Sequence, residues 1–154
     1  MYLHGLESTS QSGKARLFAQ RFPGMLTPDF AGDIDDRMRQ LYPILGDQRD
    51  WTLIGSSFGG LMAAVFTVER PEQVRKLILL APALHLPPFA TRSLNRRCPV
   101  RTVLVHGTRD NVVPPELVRD LAGQVFLHLE YLAVDDDHRL HEAFAELDWD
   151  GLLE

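Results

Sequence analysis

The chain has 154 residues, 45% of them hydrophobic and 24% charged, which suits one ordinary globular domain and excludes a disordered, collagen-like or disulfide-built chain. Sixteen basic residues against 21 acidic ones give a net charge of −5, the wrong balance for a general nucleic-acid binder. The longest apolar run, Leu77 to Leu84, contains Pro82 and falls far short of the roughly 20 residues that a membrane-spanning helix needs.

Short apolar runs alternate with longer segments of helical period, the pattern of β-α-β units and a mostly parallel sheet. Six runs read as strands in chain order: Tyr2 to His4, Met25 to Thr27, Trp51 to Gly55, Lys76 to Ala81, Arg101 to His106, and Phe126 to Val134. Between them, Ile34, Met38, Leu41, Tyr42 and Leu45 recur at helical spacing, as do Phe58, Leu61, Met62, Val65 and Phe66, until Pro71 stops that helix. Leu117, Val118 and Leu121 mark a later helix after Pro114-Pro115, and Leu140, Ala143, Phe144 and Leu147 mark the last. No repeat or linker divides the chain, so residues 1–154 read as one domain. The one long irregular stretch, Pro82 to Pro99, is the best candidate for a functional loop. Arg92, Arg96, Arg97 and Arg101 form a basic stretch, read mainly as a solvated loop and otherwise as a patch for anions. Residues 135–154 carry eight acids against Arg139 alone. The start of the chain lacks the pattern of a signal peptide, and a single cysteine, Cys98, fits a reducing compartment, so a cytoplasmic location is expected.

Chemistry concentrates in four places. Trp51 to Gly60 runs from a strand into a helix and contains Gly55-x-Ser57-x-Gly59, a nucleophile-elbow pattern in which glycines relieve clashes around a strained turn. The rival reading is a glycine-rich turn with a serine cap, but neither a Gly-Lys-Ser/Thr nor a G-x-G-x-x-G fingerprint is present. A serine hydroxyl needs a base. Of six histidines, His138 follows the last strand directly, where a loop at the sheet's C-terminal edge would lean over the elbow. His4 and His106 precede glycines at strand ends, His85 lies in the proline-rich loop, His128 lies within a strand, and His141 reads as a surface helix residue. A metal pair of His138 and His141 lacks a third ligand at sensible spacing. Asp110, in the turn after the fifth strand, is the candidate carboxylate, giving the order Ser57, Asp110, His138; Asp135, Asp136 and Asp137 are local rivals. The oxyanion needs two donors, for which the backbone amides of Phe58 and Leu6 are the candidates.

With Leu3-His4-Gly5-Leu6-Glu7-Ser8, Gly55 to Gly60, Val105 to Pro114, and Asp137-His138 in this order, the chain resembles the α/β-hydrolase superfamily. The likeness is strongest to a branch of small, nearly lidless bacterial serine esterases, and it covers almost the whole chain. The resemblance implies a minimal α/β-hydrolase fold of about six mostly parallel strands in the order 2-1-3-4-5-6, without the family's two leading strands. It also implies a cap domain reduced to Pro82 to Pro99. Ser57 would be nucleophile, His138 base and then acid, and Asp110 orienter, acting on a small-molecule ester through an acyl-serine, with neither metal nor organic cofactor. An open site would favour short acyl chains. Leu6, Phe58, Leu84, Leu86, Phe89 and Val112 are the candidate pocket side chains. The same motifs serve thioesterase, lactonase, amidase or carbon-carbon hydrolase chemistry. Other classes are a non-catalytic binding protein of this fold, or a flavodoxin-like receiver suggested by Asp33-Ile34-Asp35-Asp36.

Overall fold

Five parallel strands form a sheet through the middle of the protein, in a computed structural model that describes residues 1–154. They are β1 (Tyr2–Leu3), β2 (Trp51–Ser56), β3 (Val74–Leu80), β4 (Cys98–Gly107) and β5 (Phe126–Val134), and each pairs with the next in that order. The helices are α1 (Gly13–Arg21), α2 (Ile34–Leu45), α3 (Phe58–Glu69), α4 (Pro87–Ser93), α5 (Pro115–Val125), α6 (His141–Glu146) and α7 (Trp149–Leu153). No helix is long and apolar enough to cross a membrane.

Strand side chains alternate between the two faces of a sheet, and here each face is covered. Leu53, Leu77, Leu79 and Leu104 join a core with Leu41 of α2, Leu61 and Phe66 of α3, Phe89 of α4 and Val118 of α5. Their neighbours Ile54, Ile78, Leu80, Val103 and Val105 join a second core with Phe18 of α1, Phe144 of α6 and Trp149 of α7. Phe18 is the hub of that side, with edge-on contacts to Phe144 at 5.2 Å and Trp149 at 4.7 Å between ring centroids. Burial on both faces explains why β3 reads as an almost unbroken apolar run rather than an alternating one.

The sheet has five strands rather than about six. Met25 to Thr27 runs beside β1 as expected, but only the amide of Tyr2, donating to the Leu26 carbonyl at 2.8 Å, joins the two. Pro23 and Pro28 bracket the segment, Pro28 has no N–H to donate, and β1 offers only two residues to pair with. Helices α1, α4 and α7 have no counterpart in the periodicity. Of α1 only Ala15 and Phe18 are buried, so its apolar stripe is too narrow to register. The proline-rich stretch is partly helical, α4 lying within it. The Asp33-Ile34-Asp35-Asp36 run is a helix start: Asp33 accepts from the Asp36 amide and Asp36 from the Asp33 amide, a capping box on α2. In the basic stretch, Arg92 is paired with Glu69 at 2.8 Å and Asp35 at 3.3 Å.

The loop after β5 is held by Asp136, which is 5% exposed. Its carboxylate accepts from the amides of Asp137 (2.7 Å), Glu142 (3.0 Å) and Ala143 (2.9 Å), so it fastens the loop to the start of α6. Burial opposes ionisation here, but the Ala143, Asp137 and Glu142 amides outweigh it and bring the carboxyl below its ordinary value of 3.8. A lowered folded pKa stabilises the fold above the unfolded value, and that contribution is lost as the pH falls through the folded value. Asp136→Ala should therefore lower stability by about 1–3 kcal/mol at neutral pH. In thermal melts the gap between wild type and variant should close as the pH is lowered through the folded pKa, which lies below the ordinary value of 3.8.

Candidate active site

Ser57 sits between β2 and α3 with φ 52° and ψ −114°, a left-handed backbone that a side chain adopts only under strain. Four backbone hydrogen bonds hold it there. Its amide donates to the Leu80 carbonyl at 2.9 Å, and its carbonyl accepts from Gly60 at 3.0 Å, Leu61 at 3.2 Å and Ala83 at 2.9 Å. The glycines allow the close approach: a Cβ on Gly55 would strike the Gly59 carbonyl, and one on Gly59 would strike the Leu3 and His4 carbonyls. The clash-relief reading of Gly55-x-Ser57-x-Gly59 is thus met by named backbone atoms.

Residues from three strand ends converge on this turn. The Ser57 hydroxyl lies 3.1 Å from Nε2 of His138, and Nδ1 of His138 lies 2.8 Å from Oδ2 of Asp110. An ionised carboxylate only accepts, so the proton of His138 is on Nδ1 and Nε2 faces the hydroxyl as an acceptor. Asp110, whose side chain is fully buried, accepts on Oδ1 from the amides of Val112 and Val113, each at 2.8 Å. Oδ2 also meets Nε2 of His106 at 3.0 Å. Burial would raise the Asp110 pKa, but the Val113 amide, His138 and the Val112 amide prevail and place it below the usual value. His106 was not foreseen as part of this cluster. Its Nε2 faces two acceptors, Asp110 and the Val113 carbonyl (3.2 Å), so it carries the ring proton, while its buried Nδ1 has no partner. Burial keeps His106 below the ordinary histidine range despite the carboxylate beside it.

Asp135 to Asp137, the local rivals for orienting His138, are engaged elsewhere: Asp135 with Arg109, Asp136 with the start of α6, and Asp137 with the Arg139 amide. A Cβ on Gly107 would strike the Asp136 carbonyl, so the glycine after His106 lets the loop carrying His138 lie down on the end of β4.

A cavity of about 650 Å³ opens over Ser57. Of the six candidate pocket side chains, Leu6, Phe58, Leu86 and Val112 line it. Leu84 and Phe89 do not: they are 1% and 0% exposed and pack in the core, Phe89 against Phe126. Apolar residues in a loop are ambiguous in sequence, and here α4 turns Phe89 inward while the turn before it does the same for Leu84. The cavity is more polar than expected, with Ser8, Ser12, Lys14, His85, Arg139 and His141 on its walls. His85 has a buried Nδ1 without a partner, and burial lowers its pKa. Nothing in the spacing of these polar residues marks them in sequence, because they come from separate loops and helix starts. No group of His, Cys, Asp and Glu is arranged to hold a metal ion.

On the other side of Ser57, Phe58 opens α3, so its amide is one of those without an intrahelical acceptor. The Leu6 amide donates to no protein acceptor. His4 is buried and braces this loop, donating from Nδ1 to the Gly5 carbonyl at 2.7 Å and accepting on Nε2 from the Phe30 amide at 3.0 Å.

Solved structures of low sequence identity share this architecture. The mouse alpha/beta hydrolase domain-containing protein 10 superposes with a TM-score of 0.74 at 19% identity, over 94% of this chain and 84% of that one. A predicted CIB-like hydrolase of Thermoplasma acidophilum gives 0.72 at 21% identity, over 99% and 84%. The monoacylglycerol lipase of Paleococcus ferrophilus gives 0.74 at 14% identity, over 99% and 92%. No curated protein sequence matches the chain. Residues 10–98, more than half of the sequence, match the family model of the alpha/beta hydrolase fold, and the chain belongs to that family.

Proposed function

We propose that the protein is a serine hydrolase of carboxylesterase type, cleaving small carboxylic esters with short acyl chains through an acyl-serine intermediate. The observation that carries the reading is the hydrogen-bonded chain from Ser57 through His138 to Asp110, set on a strained turn at the mouth of a cavity. Among the similar structures one is described as a lipase and others as hydrolases, in keeping with that class. The buried free thiol of Cys98 suits the reducing cytoplasm, and residues 1–154 are read as one hydrolase domain.

In the proposed reaction the Ser57 Oγ attacks the ester carbonyl while Nε2 of His138 takes its proton. The carbonyl π pair moves onto oxygen, and that oxyanion is received by the amides of Leu6 and Phe58. His138 then gives its proton to the departing alkoxide as the C–O bond breaks. Water, deprotonated in turn by His138, attacks the acyl-serine carbonyl; the acyl–Oγ bond then breaks, His138 returns the proton to Ser57 Oγ, and the acid leaves. Asp110 stays ionised throughout, holding Nδ1–H and stabilising the imidazolium that forms in each half.

The open cavity supports the preference for short acyl chains. Leu6 and Val112 on its rim are 56% and 61% exposed, so little apolar surface is enclosed to cover a long chain. Hydrolysis of p-nitrophenyl acetate, butyrate and octanoate should fall with chain length, and Ser57→Ala should lower kcat by about 10⁴-fold or more. Retention of most activity by Ser57→Ala would overturn the assignment. A fluorophosphonate probe should label wild type at Ser57 and leave the variant unlabelled. His106→Phe removes one donor from Asp110 and fills the buried space with an apolar ring. Steady-state kinetics should show a loss of about 5- to 10-fold in kcat, the worth of one net hydrogen bond, with KM little changed.

A further inference from the structure

Arg37 is buried to 3% exposure, yet its three hydrogen bonds all end on carbonyl oxygens. Nε donates to Gly32 at 3.1 Å, one terminal nitrogen to Gly5 at 3.4 Å and the other to Leu6 at 3.2 Å. The acids nearest in sequence are occupied: Asp33 caps α2, Asp35 pairs with Arg92, and Asp36 closes the capping box and pairs with Arg39. A guanidinium taken out of water without a counter-ion is costly to hold, and its burial lowers the arginine's pKa. Its carbon also sits 5.1 Å from the centroid of the Phe58 ring. One buried cation therefore touches both segments whose amides are assigned to the oxyanion.

The peptide bond makes the link specific. In a trans peptide the carbonyl of one residue and the N–H of the next share one rigid plane and point in opposite directions. No peptide in the chain is cis. The Gly5 carbonyl and the Leu6 N–H form such a pair, so whatever grips the carbonyl aims the N–H. Three donors grip it, His4 Nδ1 at 2.7 Å and, at 3.4 Å each, the Ser8 amide and the Arg37 guanidinium, of which only the last carries a full charge. Hydrogen bonds to a carbonyl draw electron density from its amide and strengthen the N–H as a donor.

We infer that Arg37 is a positioning residue of the oxyanion hole, a charged clamp behind the Gly5–Leu6 peptide that aims and polarises the Leu6 N–H. The inference rests on the serine-hydrolase reading and extends it. The charge interacts weakly with a neutral ester carbonyl and strongly with the oxyanion, so its effect falls on the transition state and not on substrate binding.

The test compares wild type, Arg37→Gln and Arg37→Lys as full chains, each normalised to the serine that a fluorophosphonate titrates. Alongside p-nitrophenyl butyrate kinetics, a short alkyl trifluoromethyl ketone serves as probe. Ser57 Oγ adds to its carbonyl carbon, the π pair moves to oxygen, the serine proton moves to His138, and the resulting hemiketal oxygen bears the charge of the oxyanion. For Arg37→Gln, kcat per titrated site should fall about 10- to 100-fold, somewhat less than for loss of an oxyanion donor itself. KM should move less than about threefold, and the ketone's Ki should rise by the factor that kcat loses. Arg37→Lys keeps the charge but cannot span both carbonyls, so it should recover part of each loss. It carries the same comparison if Arg37→Gln does not fold. Unchanged kcat per titrated site and unchanged Ki, with a lowered melting temperature alone, would make Arg37 a mere latch and overturn the inference. A wild type that neither hydrolyses the ester nor labels at Ser57 would instead overturn the hydrolase reading beneath it.

Discussion

The left-handed backbone at Ser57 is the constraint on which the rest of the site depends. A residue with a Cβ at φ 52° stores about 1–3 kcal/mol of strain, and it persists only because its surroundings leave no alternative. β1, β2, β3 and α3 all meet at this turn. Leu80 and Ala83 grip its backbone from one side, while the Leu3 and His4 carbonyls press against Gly59 from the other. The helix consequently begins at once, with Phe58, and its first amides point at the serine. An alanine at either flanking glycine would force backbone carbonyls apart, and with them the strand that leads into the Gly5–Leu6 loop.

The side that carries His138 is built by different means. Ser57, the proposed nucleophile, is fixed by backbone contact, whereas His138 is fixed by charge and hydrogen bonds. Asp110 receives Val112 and Val113 on one oxygen and His106 and His138 on the other. A carboxylate so fully donated to can stay ionised in a buried setting and present a rigid acceptor to Nδ1. Asp136 does the same for the loop itself, tying it to α6. The two halves join through the 3.1 Å contact between His138 Nε2 and Ser57 Oγ. That contact must form and break in each cycle of the proposed reaction, so strong fixation on either side of it is what keeps the geometry.

The sequence exposed what is local and hid what is distant. Gly55-x-Ser57-x-Gly59, the order of Ser57, Asp110 and His138, and the bounds of β2, β5, α2 and α3 were readable, because each rests on neighbours within a turn or on an unbroken period. The strand from Met25 to Thr27 was not, since whether a three-residue extended run becomes a strand depends on the length of its partner. Helices α1 and α7 were hidden because they bury only two side chains and one, too few to show a period. Leu84 and Phe89 were misplaced because an apolar residue in a loop looks alike whether it faces a cavity or the core. His106 and Arg37 were missed for another reason: a histidine before a glycine, or an arginine on a helix, carries no sign of the carboxylate or carbonyl it will meet.

That last class is the instructive one. The Arg37 side chain leaves α2 about thirty residues downstream of the loop it grips, and no spacing rule connects the two. The connection follows from the fold. α2 crosses the sheet face beside α3, its capping box fixes where the helix starts, and that start fixes which residue reaches back under Gly5 and Leu6. A cap on the surface thereby sets the position of a buried cation, and the cation sets the direction of an amide. Phe30, whose amide holds His4 in the tautomer that serves the same carbonyl, belongs to the segment leading into that cap. Residues 30–37 thus act as one brace, and the acidic run that opens α2 contributes to the site by placing that brace rather than by touching a substrate.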